Sequence, residues 1–302
     1  MPQIAHAGEA YIDSNGIRIA YDTFGDPSNR PVILIQGLNM QMVAWEVDFC
    51  KALAGRDNYV IRFDNRDVGH STWCREAGLP DLGKLMQDAA QGSSVAAPYT
   101  LTDMAADTIG VLDGLGIEKA HVAGVSMGGM IAQTMAVRYP ERISSLTSIS
   151  SSTGDLTLSA PTEEARQVLF TQPPEDREAY VEHRVKLWQT LSGSEAQIDV
   201  DHVRRREGMF YDRGRNPAAP IRQLAAIIAS GNRRANLEKV NIPTLVIHGD
   251  MDPLMPLACG EDTANAVPGA KMRIICGMGH NLDIMPSVWD LVIEAIREHI
   301  KQ

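Results

Sequence analysis

Buried-strand patterns recur along the first half of this chain. Val32–Ile35 (VILI) and Tyr59–Phe63 (YVIRF) are short, largely apolar runs, and Ala120–Val125 (AHVAGV) and Ile143–Ile149 follow the same habit. Parallel strands read this way, because helices cover both faces of the sheet. Leu101–Leu115 instead spaces its apolar positions three and four apart and stops at Gly116, which predicts an amphipathic helix. Val43–Leu53 and Met127–Tyr139, the latter closed by Pro140, also read as helices. Ahead of them, Ala10–Asp13 and Ile17–Phe24 are β-type runs joined through Asn15-Gly16, a hairpin signal because both turn positions tolerate positive φ.

The pattern changes after Ser150. Residues 151–239 are richer in charge and proline, with helix-like stretches at Thr162–Phe170, Arg177–Leu191 and Pro220–Ser230 and no run of the VILI type. Strand character returns at Thr244–His248 and Met272–Ile275, followed by a helix over Ser287–His299. Alternating β and α with a late helical insertion predicts a doubly wound α/β domain made of residues 1–150 and 240–302. Residues 151–239 are expected to form a helical cap. Two independent domains are the weaker reading, since the strands after the insertion are too few for a sheet of their own.

Composition narrows the partners. The 28 Lys+Arg against 38 Asp+Glu give a net charge of -10, which disfavours nucleic-acid backbones and anionic lipid. The four cysteines (Cys50, Cys74, Cys259, Cys276) show no C-x-x-C pair and no ligand-like spacing with histidine, so neither a zinc site nor a disulfide framework is expected. The first ten residues carry no basic, apolar leader pattern, and no stretch approaches the ~18 apolar residues of a spanning helix. The expectation is a reduced, cytoplasmic protein with no membrane insertion; self-association into a homo-oligomer stays open.

The chemistry concentrates in three places. Gly124-Val125-Ser126-Met127-Gly128-Gly129 falls between a predicted strand and a predicted helix. There the G-x-S-x-G pattern lets a serine project from a sharp turn at the helix's positive end. A serine hydroxyl needs a base within hydrogen-bonding reach, itself oriented by a carboxylate. His248-Gly249-Asp250-Met251-Asp252-Pro253 and Gly277-Met278-Gly279-His280 each follow a late strand, where open α/β sheets place their ligands. Asp250 and Asp252 are both candidate acids, and His280 is the base.

With Gln36-Gly37-Leu38-Asn39 and Asp64–Ser71 (DNRDVGHS), these segments make the chain resemble α/β-hydrolases. The likeness is to bacterial carboxylesterases and the aclacinomycin methylesterase type, from about Asp13 to His299. The resemblance implies a mostly parallel eight-stranded sheet flanked by helices, with a cap. It implies Ser126 as nucleophile, His280 as general base and Asp252 as acid, since Asp252 precedes Pro253 as in the family. It implies an oxyanion hole from the amides of Leu38 and Met127. Gln36 stands where many relatives have histidine, but a backbone donor does not depend on that side chain.

The implied reaction is hydrolysis of a small-molecule carboxylic ester, neutral and fairly apolar, through an acyl-enzyme, without cofactor or metal. Carbon–carbon, lactone or amide hydrolysis and perhydrolysis are the alternatives on this fold, and a non-catalytic binding protein is a further one. Dehalogenase chemistry needs a carboxylate where Ser126 stands. Met255, Phe170 and Trp188 are expected to meet the substrate, with Leu169, Leu187 and Leu224 as further cap candidates. Met127, Met251, Met255, Met278 and Met285 are read either as core fillers or as an adaptable wall. Asp64, Arg66 and Asp67 are read as a bracing turn, His70, His121 and His248 as packed or surface residues, and Arg204-Arg205-Arg206 as a solvated helix face.

Overall fold

The computed structural model describes residues 4–91, 93, 95–193 and 198–301. Residues 1–3, on which the leader reading also rests, lie outside them. Among the described residues one eight-stranded sheet runs in the order β1-β2-β4-β3-β5-β6-β7-β8. Its strands are β1 (Ala10–Ser14), β2 (Ile17–Phe24), β3 (Arg30–Ile35), β4 (Asn58–Phe63), β5 (Ala120–Val125), β6 (Ile143–Ile149), β7 (Thr244–Gly249) and β8 (Lys271–Ile275). β1 and β2 pair antiparallel, β2 meets β4 antiparallel, and every pairing from β4 to β8 is parallel. The β1–β2 turn has Asn15 at φ 49° and Gly16 at φ 78°, as its dipeptide demands.

Helices follow the strands: α1 (Val47–Ala54), α2 (Leu82–Ala90), α3 (Leu101–Gly114), α4 (Met127–Arg138), α5 (Glu163–Phe170), α6 (Arg177–Leu191), α7 (Val200–Arg213), α8 (Ala219–Ser230), α9 (Arg234–Leu237), α10 (Leu257–Ala266) and α11 (Pro286–Ile300). Along β3, Ile33 and Ile35 join the apolar layer beneath α3 and α4, while Val32 and Leu34 join the layer beneath α1 and α11. Successive side chains of a strand point to opposite faces, so an unbroken apolar run is what a sheet covered on both sides requires. The expected helix over Val43–Leu53 is interrupted. Met42–Ala44 is a short 3₁₀ turn and α1 starts only at Val47. Between them Trp45 is buried, and its carbonyl is taken by Arg62.

Between β6 and β7 lie α5 to α9. α5, α6 and α7 bury their apolar sides with Met40, Ala44, Leu254 and Ile284, residues of loops at the carboxyl edge of the sheet. Further on, Ala226 of α8 and Leu237 of α9 sit in the layer beneath α3 and α4. Residues 151–239 therefore bury apolar surface in two separate places, over the sheet's edge and against its flank.

His121 on β5 hydrogen-bonds Ser145 Oγ at 2.8 Å. Burial first, then the charges of Arg30, His299 and Lys119, push its pKa down to about 4. The folded chain thus keeps this imidazole neutral where an unfolded chain, titrating near ~6.5, would protonate it. Its contribution to stability is full above about pH 6.5 and is lost as pH falls toward 4. Tm measured across that window should fall on acidification, and His121→Gln should flatten the slope. A Tm that rises on acidification would contradict the assignment.

Candidate active site

Ser126 sits between β5 and α4 at φ 56°, in a region non-glycine residues seldom adopt. Its neighbours make the turn possible. A Cβ on Gly124 would fall 2.1 Å from the Gly128 carbonyl oxygen, and one on Gly128 would fall 2.2 Å from that of Ile35. Only glycine fits either position. The serine backbone is pinned on both sides. Its N–H donates to Ile149 O at 2.8 Å, and its carbonyl accepts from Gly129 N, Met130 N and Ser151 Oγ. The hydroxyl is left to face the cavity.

The turn after β7 separates the two acid candidates. Asp252 is 5% exposed, and its Oδ2 lies 2.8 Å from His280 Nδ1. Its Oδ1 accepts from Leu254 N at 3.0 Å and Met255 N at 2.8 Å. Asp250 is exposed and accepts from Gly277 N at 2.7 Å, bracing the turn after β8. His248 is fully buried, 3.9 Å from Asp252, and shares its Nε2 with the Met255 carbonyl. The His280 loop hangs from α6: His280 N donates to Leu191 O at 2.7 Å. A Cβ on Gly279 would lie 2.5 Å from Ser192 O. The acid turn is held from the same insertion, with Thr162 N donating to Pro253 O at 2.8 Å.

Leu38 and Met127 both line the cavity with Ser126 and His280. As the first residue of α4, Met127 carries an amide with no intrahelical acceptor. Gln36 is fully buried and accepts the Gly37 amide at 3.1 Å, and its own carbonyl accepts from Asn65. A second support is not evident in the sequence. Gln223, fully buried on α8, accepts from Asn39 N at 2.7 Å and donates to Arg66 O at 3.1 Å. A lone amide directly before the apolar run Leu224–Ile228 was the available signal.

The cavity opens to solvent. Its wall brings together Trp188, Met255, Leu169, Leu187 and Leu224. Phe170 is a correction. It is 50% exposed at the last position of α5 and does not line the cavity, because one residue beyond Leu169 the helix has turned it outward. The methionines divide: Met127 and Met255 reach the cavity, Met278 is buried in the layer beneath α1 and α11, and Met251 is exposed.

The arginine run Arg204-Arg205-Arg206 also needs correcting. Arg204 is exposed and pairs with Glu182 at 2.7 Å, but Arg206 is buried. It lies over Trp188 and Phe210, with an Nη 3.0 Å from Glu207. Glu207 is wholly buried and also meets Arg184 at 2.9 Å and Trp188 Nε1 at 2.7 Å. Burial alone would raise its pKa, yet Arg184 and Arg206 outweigh that and hold the carboxyl below its usual range. Glu207→Gln keeps the shape and removes the charge, which should cost about 3–5 kcal/mol in urea unfolding. A loss below about 1 kcal/mol would show the cluster to be dispensable. The Asp64–Asp67 turn is a similar hub, joining Asp64 to Arg213, Arg66 to Asp107 and Asp67 to Arg222.

Among the described residues no group of three or more His, Cys, Asp or Glu is arranged to hold a metal ion. No helix among them is long and apolar enough to cross a membrane. A strand-to-helix serine elbow after β5, with an Asp–His pair on the turns after β7 and β8 of the same sheet, matches the architecture of α/β-hydrolases. The chain belongs to the α/β hydrolase fold family, whose model matches residues 30–282. It is similar to rhodomycin D methylesterase of Streptomyces peucetius, 29% identical over 96% of this chain and 97% of that protein. The corresponding enzyme of Streptomyces sp. strain C5 is 28% identical over the same shares. Among solved structures, 2-hydroxy-6-oxo-6-phenylhexa-2,4-dienoate hydrolase from Rhodococcus superposes with a TM-score of 0.75 at 19% identity. That match covers 99% of this chain and all of the other.

Proposed function

We propose that this serine hydrolase cleaves carboxylic esters of neutral, largely apolar small molecules by way of an acyl-enzyme at Ser126. The carrying observation is the 2.8 Å contact between Asp252 and His280, with His280 and Ser126 on one apolar cavity wall. Ser126 attacks the ester carbonyl as His280 Nε2 takes its proton. Asp252 holds Nδ1–H and so fixes the tautomer. The amides of Leu38 and Met127 meet the oxyanion, the protonated His280 releases the alcohol, and water cleaves the acyl-enzyme. The methyl-ester chemistry in the relatives' names, with the largely apolar cavity wall, supports methyl esters of apolar acids as the substrate class.

Residues 151–239 act in this reading as the cap, with Trp188 and Met255 among the substrate contacts. The four unpaired cysteines support work in a reducing compartment, the cytoplasm. A fluorophosphonate probe tests the nucleophile: stoichiometric labelling at Ser126 is expected, and a native protein left unlabelled would sink the reading. A panel of methyl, lactone and amide substrates then tests the class, with methyl esters expected to lead.

A further inference from the structure

We propose that Ser150 is a specificity-determining residue whose buried hydroxyl hydrogen-bonds a hydroxyl group one or two carbons from the scissile carbonyl. The preferred substrates are therefore hydroxylated esters. This deepens the ester-hydrolase reading and rests on it. Ser150 is 2% exposed and lines the cavity with Ser126 and His280. Its Oγ has no hydrogen-bond partner among the described residues. A hydroxyl withdrawn from water without a partner is costly, and buried polar atoms nearly always have one. Leucines, methionines and Trp188 make up most of the surrounding wall, and a ligand filling the cavity can supply the partner. Asn281, beside His280, is a second such group, 1% exposed, cavity-lining and unpartnered at Oδ1.

The backbone argues that the hydroxyl is there for use. Ser150 sits at φ 44°, where glycine or asparagine would be more comfortable. Its Oγ makes no local bond in return. Position supplies the substrate class. Val125 pairs with Ile149 across β5 and β6, so Ser126 and Ser150 are the first residues past the ends of two neighbouring strands, which lie about 4.8 Å apart. A hydrogen bond of about 2.8 Å from Ser150 Oγ then ends close to the carbonyl carbon that Ser126 attacks. An oxygen on the first or second carbon of the acyl chain falls there. Because Oγ both donates and accepts, a hydroxyl matches it in either role.

The test uses binding, so it does not depend on turnover. In Ser126→Ala protein, calorimetry compares methyl 3-phenylpropanoate with its 2-hydroxy and 3-hydroxy derivatives. One hydroxylated ester should bind roughly 10-fold tighter than the parent ester, the worth of one net hydrogen bond. Adding Ser150→Ala or Ser150→Gly should bring that ratio to about 1. The two variants separate hydroxyl from backbone, since glycine relaxes the φ and alanine does not. A preference that survives in either, or no preference in the Ser126→Ala protein, overturns the proposal. Failure of the ester-hydrolase reading would show separately, as Ser126 left unlabelled by fluorophosphonate in the native protein.

Discussion

Ser126→Ala is expected to lower kcat by roughly 10⁴-fold or more, the scale on which triad members act, with Tm nearly unchanged. The hydrogen bonds that hold the elbow all belong to the Ser126 backbone: its N–H to Ile149 and its carbonyl to Gly129, Met130 and Ser151. Alanine can make each of them, and it meets the same strain at φ 56° that serine already tolerates. The substitution therefore removes the proposed nucleophile and leaves the scaffold. Steady-state kinetics on a methyl ester, with thermal melts of both proteins, decides it. A variant keeping even a tenth of the native rate would take Ser126 out of the role.

The acid position carries the second large effect. Asp252→Asn should cost on the order of 10⁴-fold in kcat, because an amide facing His280 Nδ1 stabilises the wrong tautomer. Asp250→Asn should cost far less, since Asp250 Oδ1 meets the Gly277 amide and not the imidazole. Measuring both variants on the same ester makes the comparison internal. The reverse order of effects would move the acid to Asp250 and disprove the role given to Asp252.

Much of this architecture is legible in the chain because parallel strands leave an unambiguous mark. Ala120–Val125 and Ile143–Ile149 are strands over the very residues their apolar runs suggest. The hairpin at Asn15-Gly16 follows from two positions that accept positive φ. Less legible were the helices whose pattern is set by what they touch. α7 carries Arg204 to Arg206 in a row, and only the packing of Arg206 between Trp188 and Phe210 shows that one of the three faces inward. α10 contains Gly260, a poor helix former, kept because a Cβ there would lie 2.4 Å from His248 Nδ1. At the site, motif spacing left Asp250 and Asp252 both open, and the hydrogen bond to His280 is a long-range contact that spacing cannot supply. Phe170 shows the opposite limit. An aromatic residue beside Leu169 looks like a pocket residue until helix geometry assigns each its side.

The loops bearing Asp252 and His280 are each fastened to the segment between β6 and β7, through Thr162 N to Pro253 O and His280 N to Leu191 O. The part that shapes the pocket is thus also scaffolding for the proposed proton-transfer pair. A chimaera that exchanged this whole segment for a relative's would inherit a new pocket, and would keep these struts only where the new backbone follows the same path. New substrate preferences are more readily reached by changing single side chains on the inner surface, with the backbone at residues 162 and 191 left in place. Such lineages would diverge by point substitution and keep the length of α6 constant.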